Sequence, residues 1–391
     1  MEIRDVTEDD LDAVLDCRTR AFGQLSGDDV KSWRAIVTPL LAEGRYLGVF
    51  DGTRLTGAGR INKYVQWWHG RPISMGGIAG VTVAPEDRGR GVGRTLMRGL
   101  LGRCADLGHA VSVLYPATTP LYRSLGWEHA GARHRVTLPT EALRSLLRDR
   151  SAPGVAVRRI TPGDAPEIGK VLERVYGATR ASGPLAWEER LIRHWLEDDS
   201  EYGYLADDGY LVYRWDRGDL DVDNLVAGSE ATARALWSLV GSSSSVARSV
   251  TATVEPDDPL LWLLRERKDD HISVTRWMFR VVDLPAAIAA RGYPGPVTAE
   301  TVVEVDDPER PANSGTWLLS ASGGTGAATR VPAPPEGHAT PRLTANGLSA
   351  LFAGVPISTL RRTGLLAGGT PQTDETLAAL FAAKPYLIDY F

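Results

Sequence analysis

Between Gly76 and Leu107 the chain reads GGIAGVTVAPEDRGRGVGRTLMRGLLGRCADL, and its chemistry-bearing part is the loop Arg88-Gly89-Arg90-Gly91-Val92-Gly93. Glycines lack a Cβ, so consecutive backbone N–H groups there can turn toward one point. A helix starting near Val92 would add its unsatisfied amides and positive dipole end. Arg88, Arg90 and Arg94 would add full charges, and the sum favours an anion of the pyrophosphate kind. The apolar run Ile78, Val81, Val83 stops at Pro85, and Leu96, Met97, Leu100, Leu101, Cys104 and Leu107 follow at helical spacing. The loop is therefore predicted to join a strand to a helix. It lacks the Lys-Ser/Thr of a Walker loop and the acidic residue of a dinucleotide fingerprint.

At these residues the sequence resembles the GNAT superfamily of acyl-CoA-dependent N-acyltransferases. Val81, Val83, Pro85, Arg88, Gly91 and Gly93 fill every position of its signature Val-x-Val-x-Pro-x-x-Arg-x-x-Gly-x-Gly. The resemblance implies acetyl-CoA as co-substrate. Its pantetheine would lie along the backbone of Val81, Thr82 and Val83, and its pyrophosphate in the cradle of Arg88, Gly89, Arg90, Gly91, Val92, Gly93 and Arg94. Amides aimed at the thioester carbonyl would stabilise the oxyanion that forms when an amine attacks. Downstream, Leu121-Tyr122-Arg123-Ser124-Leu125-Gly126-Trp127 resembles the superfamily's F-Y-x-x-x-G-[FYW] pattern, with Leu121 in place of the aromatic residue. Tyr122 stands where that family places its general acid.

The elements around this stretch can be read in order. Residues 2–6 suit a short strand, Thr7 to Asp10 a helix cap, and Leu11, Val14 and Leu15 a helix; a second helix around Val30 to Leu41 carries Trp33. Tyr46 to Ile61 reads as a hairpin across Asp51-Gly52, and Tyr64 to Pro72, with Trp67 and Trp68, as an exposed turn region. From Val155 the pattern starts again. With a shift of 154 positions, Ile3, Arg4, Val6, Thr7, Asp10, Val14, Phe22, Gly23 and Trp33 meet Val157, Arg158, Ile160, Thr161, Asp164, Ile168, Tyr176, Gly177 and Trp187, five of them identical. That indicates an internal duplication. In the copy, however, the loop reads Ala227-Gly228-Ser229-Glu230, with no arginine and an acid that would repel phosphate. Arg133 to Gly154, containing a helix and Ser151-Ala152-Pro153-Gly154, reads as the connection between the copies.

After Leu284-Pro285 the composition shifts. Gly292 to Pro296, Ser320 to Ala328 and Pro332 to Gly337 punctuate short strands (Val302 to Val305, Thr316 to Leu319), and short helices follow near Asn346, Ile357 and Thr373. An active GNAT unit, a degenerate second one and a tail domain similar to sterol carrier proteins together resemble the Eis (enhanced intracellular survival) family. The expected fold is thus α/β (α+β): tandem GNAT folds over 1–150 and 151–285, then a sterol-carrier-like domain over 286–391 whose C-terminal tail returns to the active site. The resemblance further implies multi-site acetylation of amines on aminoglycoside-like polyamines, a homo-hexamer built as a trimer of dimers, and catalysis by the α-carboxylate of Phe391. Independently, the apolar end Tyr386-Leu387-Ile388-Asp389-Tyr390-Phe391 is unlike a solvated terminus and is expected to be tied down. Asp28, Asp29, Trp33 and Asp389 are the expected acceptor-pocket residues, since carboxylates attract a polyamine and an indole covers its cationic faces. The first three would equally make a solvated acidic turn and a core tryptophan.

The chain's 391 residues exceed one typical core, and 43% hydrophobic with 24% charged residues is a globular balance. A net charge of −5 provides no basic field for nucleic acid. Two cysteines, Cys17 and Cys104, make no disulfide framework, which suits a reducing cytoplasm. The seven histidines show no zinc-ligand spacing, so no metal is expected. Met1-Glu2-Ile3 begins structure at once, without a leader-like segment, so neither secretion nor membrane insertion is expected. Three functions remain open: an acetyltransferase for cationic small molecules, one for protein lysines or N-termini, and an apolar-ligand carrier in which the GNAT units only support the tail domain.

Overall fold

The computed structural model describes residues 1–147, 154–264, 271–334 and 339–391. The expected linker Ser151–Pro153, the boundary at 150/151 and the turn residues 335–337 lie outside them.

The chain opens with β1 (Glu2–Asp5), α1 (Leu11–Phe22) and α2 (Gly27–Ala42), then β2 (Tyr46–Asp51), β3 (Arg54–Trp68) and β4 (Arg71–Val83). Next come α3 (Val92–Asp106), β5 (Val111–Leu114), α4 (Thr119–Arg123), β6 (Glu128–Pro139) and α5 (Thr140–Leu147). The second unit repeats the order with β7 (Arg158–Arg159), α6 (Ala165–Ala178), β8 (Leu185–Ala186), α7 (Glu189–Leu196), β9 (Glu201–Ala206), β10 (Gly209–Asp216), β11 (Asp219–Ala227), α8 (Glu230–Gly241), β12 (Ser249–Val254), α9 (Leu260–Leu263) and β13 (His271–Val281). The third unit holds α10 (Leu284–Ala290), β14 (Ala299–Asp306), β15 (Gly315–Ser322), β16 (Thr325–Val331), β17 (Arg342–Thr344), α11 (Ala345–Phe352), α12 (Ile357–Arg362), β18 (Leu366–Ala367) and α13 (Pro371–Leu380).

The duplication is visible atom by atom. At the start of each unit a threonine N–H donates to an aspartate three residues on, Thr7 to Asp10 at 2.9 Å and Thr161 to Asp164 at 2.8 Å. Each aspartate also pairs with an arginine, Arg4 at 2.8 Å and Arg158 at 2.7 Å. Four of the five identities are thereby spoken for in part: Arg, Thr and Asp form the clasp that starts the first helix, and Trp187 is placed below.

The two units share one sheet, ordered β1-β2-β3-β4-β5-β13-β6-β12-β11-β10-β9-β7 with β8 added to β3. β13, from the end of the second unit, pairs with β5 of the first, while β6, from the end of the first, pairs with β12 of the second. The units have exchanged their last strands. Hence Arg133 to Pro139, read from sequence as connection, is a central strand: its alternating Val136 and Leu138 are buried in the second unit's core. The stretch Tyr64 to Pro72 is also not an exposed turn. β3 and β4 pair out to Trp68 and Arg71, and Trp67 and Trp68 are buried because the second and third units cover that end. Likewise Ser320 to Ala328 forms the β15–β16 hairpin, turning at Gly323-Gly324.

The third unit packs the inner face of its sheet, Val303, Val305, Trp317 and Leu319, into a core continuous with Trp68, Met75, Val111 and Phe279. At its centre Arg291 is fully buried, its guanidinium within 4.8 Å of the Phe352 ring and 5.2 Å of Trp68. Among the described residues no helix is long and apolar enough to cross a membrane.

Candidate active site

β4 and β5 pair in parallel only where Met75 to Gly77 face Val111 to Val113. At that point the register of β3 on β4 slips between Ala58 and Arg60, and Gly80 adopts φ +61°, a bulge that re-aims the strand. The strands part into a cleft of about 190 Å³, with Ile78 to Val81 on one wall and Leu114 to Ala117 on the other. Phe22, Tyr122, Tyr390 and Phe391 complete it.

Below the cleft, α3 starts at Val92 with Gly91 as its N-cap at φ +85°, no side chain capping its amides and no acid in its first turn. Four N-terminal amides of a helix lack internal partners, so this end is available to an anion. A methyl group on Gly89 or Gly91 would meet no protein atom within 4 Å, so the loop's outer face is open. Among the described residues Arg88 has no side-chain partner, whereas Arg90 is bound to Asp87 and Arg94 reaches the Ser124 carbonyl. The uncapped helix end, open loop, free Arg88 and cleft between parting strands fit the pyrophosphate and pantetheine of acetyl-CoA. Thr82 and Val92 are buried, and Val83 packs over α3, so these three would contribute only backbone to that ligand.

The second unit lacks this arrangement. There α8 is capped by Ser229, whose Oγ accepts the Thr232 N–H, and Glu230 sits in its first turn.

Tyr122 is 5% exposed, on α4. Burial pushes its phenol up, and its hydroxyl has no protein partner among the described residues. The C-terminal tail runs to the same place. Tyr386 N–H donates to Ser182 O at 3.1 Å, Leu387 N–H to Ala132 O at 3.3 Å, Arg133 Nε to Ile388 O at 3.1 Å and Tyr115 Oη to Asp389 O at 2.7 Å. Gly183 makes this course possible: at φ +102°, a Cβ on it would stand 2.3 Å from Tyr386 O. The Phe391 ring packs 5.0 Å from Tyr64 and 5.7 Å from Tyr115. Among the described residues no arginine, lysine or histidine pairs with its α-carboxylate.

On the tail's other side is a second cavity, also of about 190 Å³, lined by Arg133, Trp187, Trp195, Asp223, Asn224 and Asp389 among others. Tyr390 borders both. Burial pushes the Asp389 carboxyl up to about 7 against the pull of Arg133, and burial raises Asp223 as well. Behind Asp223, Glu201 is pushed up to about 7 by burial and by Asp223, with Arg214 bound between them.

The sequence-predicted acceptor residues divide. Asp389 lines this cavity. Asp28 is paired with Lys31 in solvent at 2.9 Å, Asp29 is committed to the N-cap of α2 through Ser26 Oγ at 2.7 Å, and Trp33 is packed among Val14, Val37 and Tyr46. None of the three is on the lining of either cavity. The second unit's contribution, Trp187, Trp195 and Asp223, was not singled out from sequence. The one available signal was that Trp187 is the repeat partner of Trp33.

Comparison with known proteins agrees with this geometry. Residues 2–130 and 183–281 each match a GNAT acetyltransferase domain, and 284–388 match a sterol carrier protein domain. The crystal structure of a GCN5-related N-acetyltransferase from Kribbella flavida is 46% identical, with a TM-score of 0.95 over 100% of this chain and 98% of that one. The N-acetyltransferase Eis of Mycobacterium tuberculosis is 27% identical over 404 residues, 96% of each chain. The chain belongs to the Eis family of GNAT N-acetyltransferases. Eis1 from Mycobacterium abscessus, 24% identical with a TM-score of 0.78 over 100% of both chains, shares the fold. Within the Eis family the tandem GNAT units and sterol-carrier-like unit thus stand as expected, the second GNAT unit carrying the altered loop.

Proposed function

We propose that this Eis-family enzyme transfers acetyl from acetyl-CoA to primary amines of cationic small molecules, aminoglycoside-like polyamines included, and at more than one position. The observation that carries the reading is the tail: its last residues separate a cleft suited to the thioester from a cavity lined with carboxyls and indoles. Acetyl-CoA, when bound, supplies the activated acetyl group and a thiol leaving group.

The chain's own residues would act as follows. Asp389 and Asp223 draw an ammonium into the cavity, and Trp187 and Trp195 cover its apolar and cationic faces. The Phe391 α-carboxylate takes the proton an ammonium must lose to become a nucleophile. Amides of β4 near Val81 stabilise charge on the carbonyl oxygen. Tyr122 Oη donates a proton to the departing sulfur. With an ordinary phenol pKa near 10 against about 8.5 for a thiol, it serves only if held within hydrogen-bond reach.

The first unit's uncapped helix end and open loop speak against an apolar-ligand carrier, since the second unit, with its capped helix and Glu230, shows the form a disused cradle takes. A hexamer and a cytoplasmic setting belong to the same proposal, and sedimentation of the purified chain tests the former. The function is tested by free-thiol release from acetyl-CoA with a panel of amines. Polyamines of the aminoglycoside class should be acetylated, with masses rising by more than one acetyl. Turnover confined to lysine peptides or protein N-termini would move the enzyme to the protein-acetyltransferase class, and no turnover with any amine would overturn the proposal.

A further inference from the structure

The degenerate unit keeps the cleft that its loop can no longer serve. β11 and β12 pair in parallel only from Leu220 to Val222 against Val250 to Ala252, then part as β4 and β5 do. Between them lies a cavity of about 50 Å³ bordered by Leu225, Val226, Glu255, Asp258, Tyr176 and Trp237 among others. Tyr176 is the repeat partner of Phe22, which lines the first unit's cleft, so the two cavities correspond. Their electrostatics are opposite. The first unit offers an open helix end and arginines; here Glu230 stands at the helix start, and a buried carboxyl, Asp258, and a half-buried one, Glu255, line the cavity.

Glu255 and Asp258 have no cation partner among the described residues. Asp258 spends one oxygen on the Leu260 N–H at 2.9 Å, and Glu255 interacts with the Tyr386 hydroxyl. The Tyr176 hydroxyl, on a residue 2% exposed, borders the cavity and makes no hydrogen bond. A buried and a half-buried carboxyl beside an unused, buried hydroxyl oxygen are a set of acceptors lacking a donor with positive charge. At roughly 10–15 Å³ per water-sized occupant, the cavity admits a group of a few heavy atoms and not a whole polyamine. Tyr386 and Ile388 of the tail also border it, and Ile388 continues into the acceptor cavity.

We propose that this cleft binds a primary ammonium group, free or at the end of a polyamine, through Glu255, Asp258 and the Tyr176 hydroxyl, and that its occupancy fixes the C-terminal tail. Burial pushes Glu255 up to about 7 and Asp258 up to about 6, so a bound cation also relieves the cost of ionising them near neutral pH. The former cofactor cleft has become an ammonium-gated support for the segment that ends at Phe391. The assignment of the site stands independently of acetyl transfer; the catalytic consequence of a fixed tail rests on the proposed function.

The test uses the full chain with no acetyl donor present. Carboxypeptidase A releases Phe391 only when the tail leaves its seat, and release is timed in methylammonium chloride against sodium chloride at equal ionic strength. Methylammonium should slow release several-fold in the wild type, and this protection should vanish in Glu255→Gln and weaken in Tyr176→Phe, which removes one oxygen without altering core volume. Spermidine at matched amine concentration separates a polyamine end from a free ammonium, and protection by either supports the site. Equal protection by potassium chloride would overturn the ammonium assignment. Protection that survives Glu255→Gln but is lost in Asp389→Asn would place the ammonium in the acceptor cavity and overturn the proposal. Absence of protection in the wild type would do the same.

Discussion

Tyr122 is buried and Asp389 half-buried on a cavity wall, and the loss of water acts on them with opposite use. For the phenol a raised pKa keeps the proton on at every working pH, so Tyr122 can only donate. Tyr122→Phe should lower kcat by about 10²-fold or more, the usual worth of a positioned acid, while acetyl-CoA affinity stays within a factor of two. Steady-state kinetics with equilibrium binding checks this, and full turnover would assign the acid elsewhere. Asp389 is held at about 7 in the folded chain, against about 3.9 when unfolded. Its raised value means that the folded state keeps a proton the unfolded state has lost. Its stabilising share is therefore complete below pH 4 and is lost as pH rises to 7, on the order of 4 kcal/mol for this one group. Asp389→Asn should match the wild type near pH 4 and exceed it in stability near pH 8, measured by denaturant unfolding across pH. If, as proposed, an ammonium pairs with this carboxylate, the wild-type KM for the amine should fall from pH 6 to 8 and that of the variant should not. Asp223, Glu201, Glu255 and Asp258, also raised, leave a residual slope in both.

At the scale of elements, the tail matters through its length. Backbone and aromatic contacts from Tyr386 onward fix where the chain ends, and Phe391 lies against Gly77, 3.0 Å from the position a Cβ would take there. One glycine added after Phe391 carries the carboxylate about 3.5 Å farther, beyond the tolerance of a positioned base. That variant should keep its melting temperature and acetyl-CoA binding and lose most of its turnover; near-normal turnover would remove the terminal carboxylate from the mechanism. Elements were also where the sequence spoke most plainly. The strand-loop-helix around Arg88 needed no tertiary information, because each cue is local: the apolar run, the prolyl stop, the glycines and the helical period. The acceptor cavity was not legible in that way. Trp33 and Trp187 are equivalent in sequence, yet Trp33 is enclosed under β2 by α1 and α2, while β8 pairing with Val65-Gln66 draws Trp187 over the first unit. Only the partner strand decides between them, and it lies more than 100 residues away.

At the scale of the molecule, the exchanged strands change what a domain means here. Reading 1–150, 151–285 and 286–391 as consecutive units follows composition, but β13 completes the first unit's sheet from the second unit's sequence, and the third unit's core is continuous with the first. Strand exchange of this kind leaves no mark in periodicity, since β6 and β13 alternate as any sheet strand does. One ion pair sits at the junction. Arg280 on β13 donates to both oxygens of Asp307 at 2.6 and 2.7 Å, both side chains are fully buried, and Arg280 also reaches Leu125 O at 3.1 Å, close to α4 and Tyr122. Asp307 in turn accepts from Asn313 Nδ2 at 3.0 Å and from the Arg310 N–H at 3.0 Å. Removing one partner strands a buried charge and costs about 3–5 kcal/mol. Asp307→Ala should therefore lower the stability of the whole chain by that amount and do so in a single calorimetric transition, because strands of all three units would loosen together. Replacing both by apolar residues, Arg280→Met with Asp307→Leu, should recover most of the loss, as an uncharged junction leaves nothing unpaired. Two separate transitions in Asp307→Ala, with the GNAT units melting at the wild-type temperature, would show that the third unit is an independent attachment and that the shared core couples nothing.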